Sequence, residues 1–460
     1  MRYLDQELES YKSRAVYPFH MPGHKRNPAI FDEGKDPGYE GVYGIDITEI
    51  GGFDDLHDAN GIIRELEEGF AKIYGAKITH LSVNGSTCGI MASVFSTTVE
   101  GDLVIAQRRS HKSFFHTAML RGLNVMYVYQ DHAKDDISED MIRMMDENPG
   151  AKLIYLTSPD YEGYVQDVGR ISEEAHKRGM KVIVDAAHGA HLRFYPGNIP
   201  FPLEQGADIV ITSLHKMLPA LTQTALILEN DPRTDDGLIG YYLDCFESSS
   251  PSYVLMASCA RCLRYLQEKG REDFLRYGKM LEDFYSLNER MSVLFLATSK
   301  AHDPCHIFIG GADGIWLAKE LRKRYDIETE MSLPTGVLAL SSVADTKDAF
   351  LQLERALMEL DGEAGVHPCK DDPYQRFAKL VVPVACSAKR AMEHRELIDL
   401  EESVGRVAAE EIMVYPPGIP LLIPGEMITE RMIDVIGTAY DDGLSLKGLK
   451  DRKIRVSADI

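Results

Sequence analysis

The stretch ADIVITSLHK, residues 207–216, decides the fold when it is read with VIVDAAHGAH at 182–191. Each is a short run rich in β-branched residues that ends in charged or imidazole side chains. That is the pattern of a buried parallel strand delivering polar groups to its C-terminal edge. In an open α/β sheet, ligands bind at that edge. The two strands therefore bring Asp185, His188, Ser213, His215 and Lys216 to one predicted pocket.

A buried lysine facing an aspartate and hydroxyls is the minimum set for holding pyridoxal phosphate. The lysine forms a Schiff base with the aldehyde, and the carboxylate keeps the pyridine nitrogen protonated so that the ring accepts electrons. An ordinary ion pair would also account for the Asp and Lys alone, so further parts of the pocket must come from elsewhere. NGSTCG, residues 84–89, lies between a predicted strand and a helix. A turn opening a helix offers N–H groups and the positive end of the dipole to an anion, with Ser86 and Thr87 as hydroxyl donors. A simple N-cap by either residue explains many such sequences; a downstream Asp and Lys favour phosphate. No GK[ST] follows, which argues against nucleotide hydrolysis. In QRRSHKSFFH, residues 107–116, His111 lies just beyond the strand LVIA and can stack on an aromatic cofactor, although a lone histidine is more often a hydrogen-bonded structural residue. Lys112 competes with Lys216 for the Schiff base; Lys216 is favoured because its strand also carries Ser213.

The chain has 460 residues, 44% of them hydrophobic, enough for two or three domains. It has no apolar run of membrane-spanning length, and MRYLDQELESYKSRAV lacks the apolar core of a signal peptide. Seven scattered cysteines point to reduced thiols in a cytoplasmic protein. Cys259 and Cys262 form a CxxC inside a helical pattern, which reads as core packing, so no metal is expected. A formal charge of −22, from 72 acidic and 50 basic residues, argues against a nucleic-acid partner.

Residues 1–60 are rich in Gly, Pro and His and read as an irregular arm. The helical spacing IIRELEEGFAKIYG follows, closed by Gly75. Strands ITHLSV, LVIAQ, VMYVY, LIYLTSP, KVIVDAAH and ADIVITS then alternate with helices, which calls for a largely parallel sheet in a domain spanning 61–295. Residues 296–365 mix strands (HIFIG, GVLAL) with helices as a smaller α+β unit. A C-terminal domain, 366–460, contains YPPGIPLLIPGE, whose prolines impose extended backbone.

The order of these parts resembles the Orn/Lys/Arg decarboxylase family. The matching stretches also include HMPGHK at 20–25, DITEIGGFDDLHDANG at 46–61, SSSPSY at 248–253, and the segment from Gly405 to Glu426. The resemblance implies an α/β fold, the pyridoxal-phosphate-dependent transferase fold type I of aspartate aminotransferase. Its mainly parallel seven-stranded sheet is flanked by helices, with a smaller α+β C-terminal region. It also implies the short form of the family, without a receiver-like wing domain, acting in polyamine biosynthesis. By the same resemblance Lys216 would carry the cofactor and Asp185 would pair with its ring nitrogen. His111 would stack on one face of the ring and Ala187 would pack on the other, with His188 near the phenolic oxygen. Ser86, Thr87, Ser213 and His215 would hold the phosphate, joined by Ser249 from a neighbouring subunit of a homodimer. Glu330, in IETEM, would read the distal end of the substrate, helped across the dimer by Asp54 or Asp55. DPCHIFI departs from the family's usual DPxK stretch, with His306 at the basic position.

The implied activity is decarboxylation of a basic amino acid: arginine first, by analogy with short-form members, then lysine or ornithine. A fold type I aminotransferase would instead need an arginine for the substrate carboxylate, and Arg406 is the motif-borne candidate. A catalytically silent binding protein of the same fold would be free to lose Lys216 or Asp185.

Overall fold

The computed structural model describes residues 17–19, 54–129, 136–197, 199–230, 237–299, 301–370, 376–377, 380–415 and 418–460. HMPGHK at 20–25 and positions 46–53 of the second motif lie outside them. A short strand β1 (Tyr17–Phe19) pairs with a later strand. The central sheet is built from β2 (Ile78–Ser82), β3 (Leu103–Gln107), β4 (Asn124–Val128), β5 (Leu153–Thr157), β6 (Lys181–Asp185), β7 (Ile209–Ser213) and β8 (Ala225–Glu229). Its order is β2-β8-β7-β6-β5-β3-β4. All pairs from β7 to β4 are parallel, and β8 runs against both neighbours. The sequence reading named six of these strands. The seventh, ALILE, is antiparallel because the chain between Ser213 and Ala225 is too short for a full crossover.

Alternation along the strands sends side chains to two cores. Ile154, Leu156, Val182, Val184 and Val210 enter one core, while Leu153, Tyr155, Ile183, Ile209 and Ile211 enter the other. Helix Gly85–Thr97 lies directly on the second face. A Cβ at Gly89 would come within 2.9 Å of Ile227 and 3.2 Å of Ile211, so a glycine is needed for this approach. The close seat points the helix N-terminus at the C-terminal edge of β7. Cys259 and Cys262 are fully buried in the first core, as packing residues.

A second, antiparallel sheet contains β9 (Phe295–Leu296), β10 (His306–Gly310), β12 (Met331–Leu333) and β13 (Gly336–Leu340) in the order β12-β13-β10-β9. Between them β11 (Ile327–Thr329) pairs in parallel with β1. HIFIG and GVLAL are thus β10 and β13. The C-terminal region adds β14 (Arg395–Asp399), β15 (Ile412–Val414), β16 (Ile419–Leu422), β17 (Leu446–Lys447) and β18 (Lys453–Ser457), with helix Glu430–Asp441. Its own core includes Leu400, Ile412, Leu421, Ile436 and Val456. No helix among the described residues is long and apolar enough to cross a membrane.

Arg108, just past β3, ties this region to the central sheet. Its guanidinium donates to the carbonyls of Pro420 (2.8 Å) and Leu421 (3.3 Å) and to the Glu426 carboxylate (3.3 and 3.1 Å). Both side chains are buried, and the guanidinium lies 4.9 Å from the Phe377 ring centre. Removing one member strands the other charge in a dry site. Arg108→Met or Glu426→Gln alone should therefore cost about 3–5 kcal/mol in denaturant unfolding. The double replacement Arg108→Met/Glu426→Gln should cost less than the two single changes added together, and full additivity would show that the charges do not depend on each other.

Candidate active site

The C-terminal ends of β5, β6 and β7 lie side by side, with Thr157 paired to Asp185 and Asp185 to Ile211. Asp185 is buried. Its carboxylate accepts from the Ala187 N–H at 3.1 Å and from the Tyr155 hydroxyl at 3.2 Å. Burial pushes its pKa up, opposed by the positive charge of Lys216. Lys216 sits in the single turn Leu214–Met217 that follows β7. Its Nζ lies 3.1 Å from His188 Nε2 and 5.8 Å from the Tyr161 ring centre. Burial pulls its pKa down, while Asp185 and then Glu330 hold it up. The structure thus brings Lys216, Asp185, His188 and the charge of Glu330, which lies between β11 and β12, to one place.

His111 caps helix Lys112–Arg121, its Nδ1 accepting from the Ser113 N–H at 3.3 Å. Burial, with Lys216 and Lys112 nearby, pushes its pKa down to about 3, so its ring is neutral. The ring proton then belongs on Nε2. Lys112 points elsewhere, 5.8 Å from the Tyr415 ring centre. At the start of helix Gly85–Thr97 the Ser86 and Ser213 hydroxyls meet at 2.5 Å, although they come from distant parts of the chain. Thr87 is exposed in the same turn. His215 donates from Nδ1 to the Thr224 carbonyl at 3.0 Å, and Ala187 follows Asp185 at the floor. These residues fit pyridoxal phosphate: paired hydroxyls at a helix N-terminus, a buried carboxylate, and a half-buried amine with a depressed pKa.

Ser249 is exposed on the loop after helix Leu238–Phe246. His57 holds that loop by a 3.0 Å hydrogen bond to the Ser248 carbonyl. Asp54 and Asp55, expected to help read a cationic substrate across the dimer, serve as caps within the chain. Asp54 accepts from the N–H groups of Asn60, Gly61 and Ile63 at 2.7–3.0 Å, and Asp55 accepts from the His57 N–H at 2.9 Å. Arg406 is engaged by Glu396 (2.5 Å) and the Ser457 carbonyl (2.8 Å).

Tyr161 and Asp303 were not singled out in the sequence, and His306 was noted only as a departure from a family stretch. Tyr161 follows the end of β5, and its ring centre lies 5.2 Å from that of His188 and 6.2 Å from that of His111. The strand-end rule that found Asp185 would have found it. His306 and Asp303 come from the second sheet, and sequence position gives no hint that they approach β6. His306 Nε2 lies 3.2 Å from His188 Nδ1, and His306 donates from Nδ1 to Asp303 at 2.9 Å.

Residues 4–304 match the family described as Orn/Lys/Arg decarboxylase, major domain, and residues 370–441 match its C-terminal domain. The chain belongs to the Orn/Lys/Arg decarboxylase family. An arginine decarboxylase of Halalkalibacterium halodurans is 31% identical over 95% of this chain and 93% of its own length. One of Bacillus subtilis is 30% identical over 98% and 96%. Lysine decarboxylase A from Pseudomonas aeruginosa has the same fold, with a TM-score of 0.76 at 17% identity over 98% of this chain and 80% of that one. This member of the family is a pyridoxal-phosphate-dependent amino-acid decarboxylase of fold type I.

Because burial lowers the Lys216 pKa, its amine should be neutral at pH values where exposed lysines, near 10.4, are still protonated. Reductive methylation followed by mass spectrometry should modify Lys216 at lower pH than the exposed lysines. Glu330→Gln removes a carboxylate that raises this pKa, so the midpoint should move further down. An upward move would mean that Glu330 does not act on Lys216.

Proposed function

We propose that this decarboxylase converts arginine to the corresponding amine and CO2, with lysine and ornithine as poorer substrates. The observation that carries the reading is Lys216 beside the buried Asp185 at the sheet edge, with Glu330 near enough for its charge to raise the lysine pKa. A carboxylate there suits a substrate with a cationic far end, and the full-length similarity to arginine decarboxylases favours guanidinium.

Bound pyridoxal phosphate supplies the electron sink for the pair left when the bond from Cα to the carboxylate breaks. Lys216 would anchor it, and Asp185 would hold the proton on its ring nitrogen. His111 and Ala187 would clamp the ring from opposite faces. Ser86, Thr87, Ser213 and His215 would hold the phosphate, with the N–H groups of helix Gly85–Thr97. The bound ring would cover the half-buried Lys216 and His111 and so reduce water near the reacting carboxylate, which favours losing it as neutral CO2. Lys216 would then return a proton to Cα. An aminotransferase would need an arginine for the substrate carboxylate, and Arg406 is committed to Glu396 and Ser457. In a homodimer, as the family resemblance implies, the exposed Ser249 of each chain would complete its neighbour's phosphate site.

The yellow protein should release CO2 from arginine without a keto-acid acceptor. Lys216→Ala should abolish turnover while leaving the fold intact. Asp185→Asn should lower turnover at least about a hundredfold while retaining most of the cofactor. Turnover that depends on a keto acid would favour the aminotransferase. Mixing Lys216→Ala chains with Ser249→Asp chains should restore about one site in two; hybrids that form but stay inactive would overturn the shared site.

A further inference from the structure

A continuous line of hydrogen-bonding groups runs inward from Lys216. Nζ lies 3.1 Å from His188 Nε2, His188 Nδ1 lies 3.2 Å from His306 Nε2, and His306 Nδ1 lies 2.9 Å from Asp303 Oδ2. His188, His306 and Asp303 are all buried. The turn carrying Tyr161 presses this line together. Gly163 has φ +95°, and a Cβ on it would lie 2.6 Å from the His306 Cβ, so no other residue fits there. His302 beside it bonds to the Glu162 carbonyl at 2.8 Å, and the Asp303 N–H donates to the Gly163 carbonyl at 2.8 Å.

The partners dictate how protons are placed. Asp303 is an anion: burial works against its charge, but His191 and His306 outweigh burial and hold its pKa well below the usual range. Its Oδ2 accepts, so His306 Nδ1 must donate. If His306 is neutral, its Nε2 is a lone pair, His188 donates to it from Nδ1, and His188 Nε2 accepts from Lys216. If His306 carries an extra proton, every bond beyond it reverses: His306 Nε2 donates to His188 Nδ1, and His188 Nε2 donates to a neutral Lys216 amine. The two arrangements hold the same protons and satisfy the same hydrogen bonds.

We propose that His188 and His306 form a two-step proton relay that moves a proton from Lys216 to the Asp303-anchored imidazole of His306 and back. This rests on the reading of Lys216 as the lysine that takes the aldehyde cofactor. In the outward direction a Lys216 N–H bond breaks as a bond to His188 Nε2 forms. The His188 Nδ1–H bond breaks as a bond to His306 Nε2 forms. Lys216 is left as the free amine, and Asp303 balances the imidazolium. The return direction restores the lysine as an acid. Burial, then Lys216 and His306, push the His188 pKa far down, so His188 passes the proton on and does not store it. His306 touches no reacting atom in this account and is a positioning residue. The other charged groups facing the line are Asp185 and Glu330 at Lys216, His111 at His188, and His191 and His302 at the Asp303 end.

The test is the pH dependence of cofactor uptake by the cofactor-stripped full chain, read as the rate of colour formation with added pyridoxal phosphate. The cofactor's own titration is common to every variant and cancels. His306→Gln can accept from His188 and donate to Asp303 but cannot take the extra proton. Its midpoint should move up by about one pH unit, a roughly tenfold slower uptake below the midpoint. His306→Lys places a permanent cation beside Asp303 that can only donate, which mimics the loaded relay. Its midpoint should move down. Opposite shifts support the relay, and unchanged or same-direction shifts overturn it. If only one variant folds, its own direction decides. If neither folds, His188→Gln, which interrupts the line at its middle, should give the upward shift; an unmoved midpoint overturns the relay. An unaltered protein that takes up no colour would overturn the cofactor reading itself, a distinct outcome.

Discussion

The site depends on the opposition of Lys216 and Asp185 across the buried ends of β6 and β7. A lone charge on the buried Asp185 would cost several kcal/mol without a cation near it. Together the two charges offset one another, which appears in the structure as the lysine opposing the rise in the aspartate pKa and the aspartate opposing the fall in the lysine pKa. The pair also makes chemical sense of its surroundings. A carboxylate that stays ionised can hold a proton on a ring nitrogen, and an amine that gives up its proton readily can attack an aldehyde.

The sheet order serves this opposition. Parallel pairing of β5, β6 and β7 brings three C-terminal ends together. The antiparallel β8 covers β7 on its other side, so the lysine turn leaves an interior strand and not an exposed edge. The second sheet then contributes from the other side, with His306 at the start of β10 and Glu330 beside β12. The C-terminal region is held against the same edge by Arg108 and Glu426. Arg108 and His111 follow the same strand, β3, so the anchor of one region and the stacking candidate of another share one strand end.

The parts legible in the sequence were those carried by single strands. Asp185, His188 and Lys216 could be placed because a β-branched run fixes where a strand ends and what lies at its edge. Ser86 and Ser213 could be paired because a helix opening and a strand end converge in such a sheet. Less legible were contacts between regions. Nothing in DPCHIFI says that His306 approaches His188, because that contact depends on how a second sheet seats on the first. The Asp54–Asp55 pair has a local role that the sequence reading passed over. Carboxylates shortly before a helix have a local use as caps, and both residues serve it. The strand ALILE needed only its short connection to be recognised as antiparallel.

The most direct test of the account is where the cofactor is attached. The protein, loaded with pyridoxal phosphate, is reduced with borohydride, digested and mapped by mass spectrometry. The account predicts the reduced adduct on Lys216 and its loss in Lys216→Ala. An adduct on Lys112, or on any lysine away from Asp185, would contradict it.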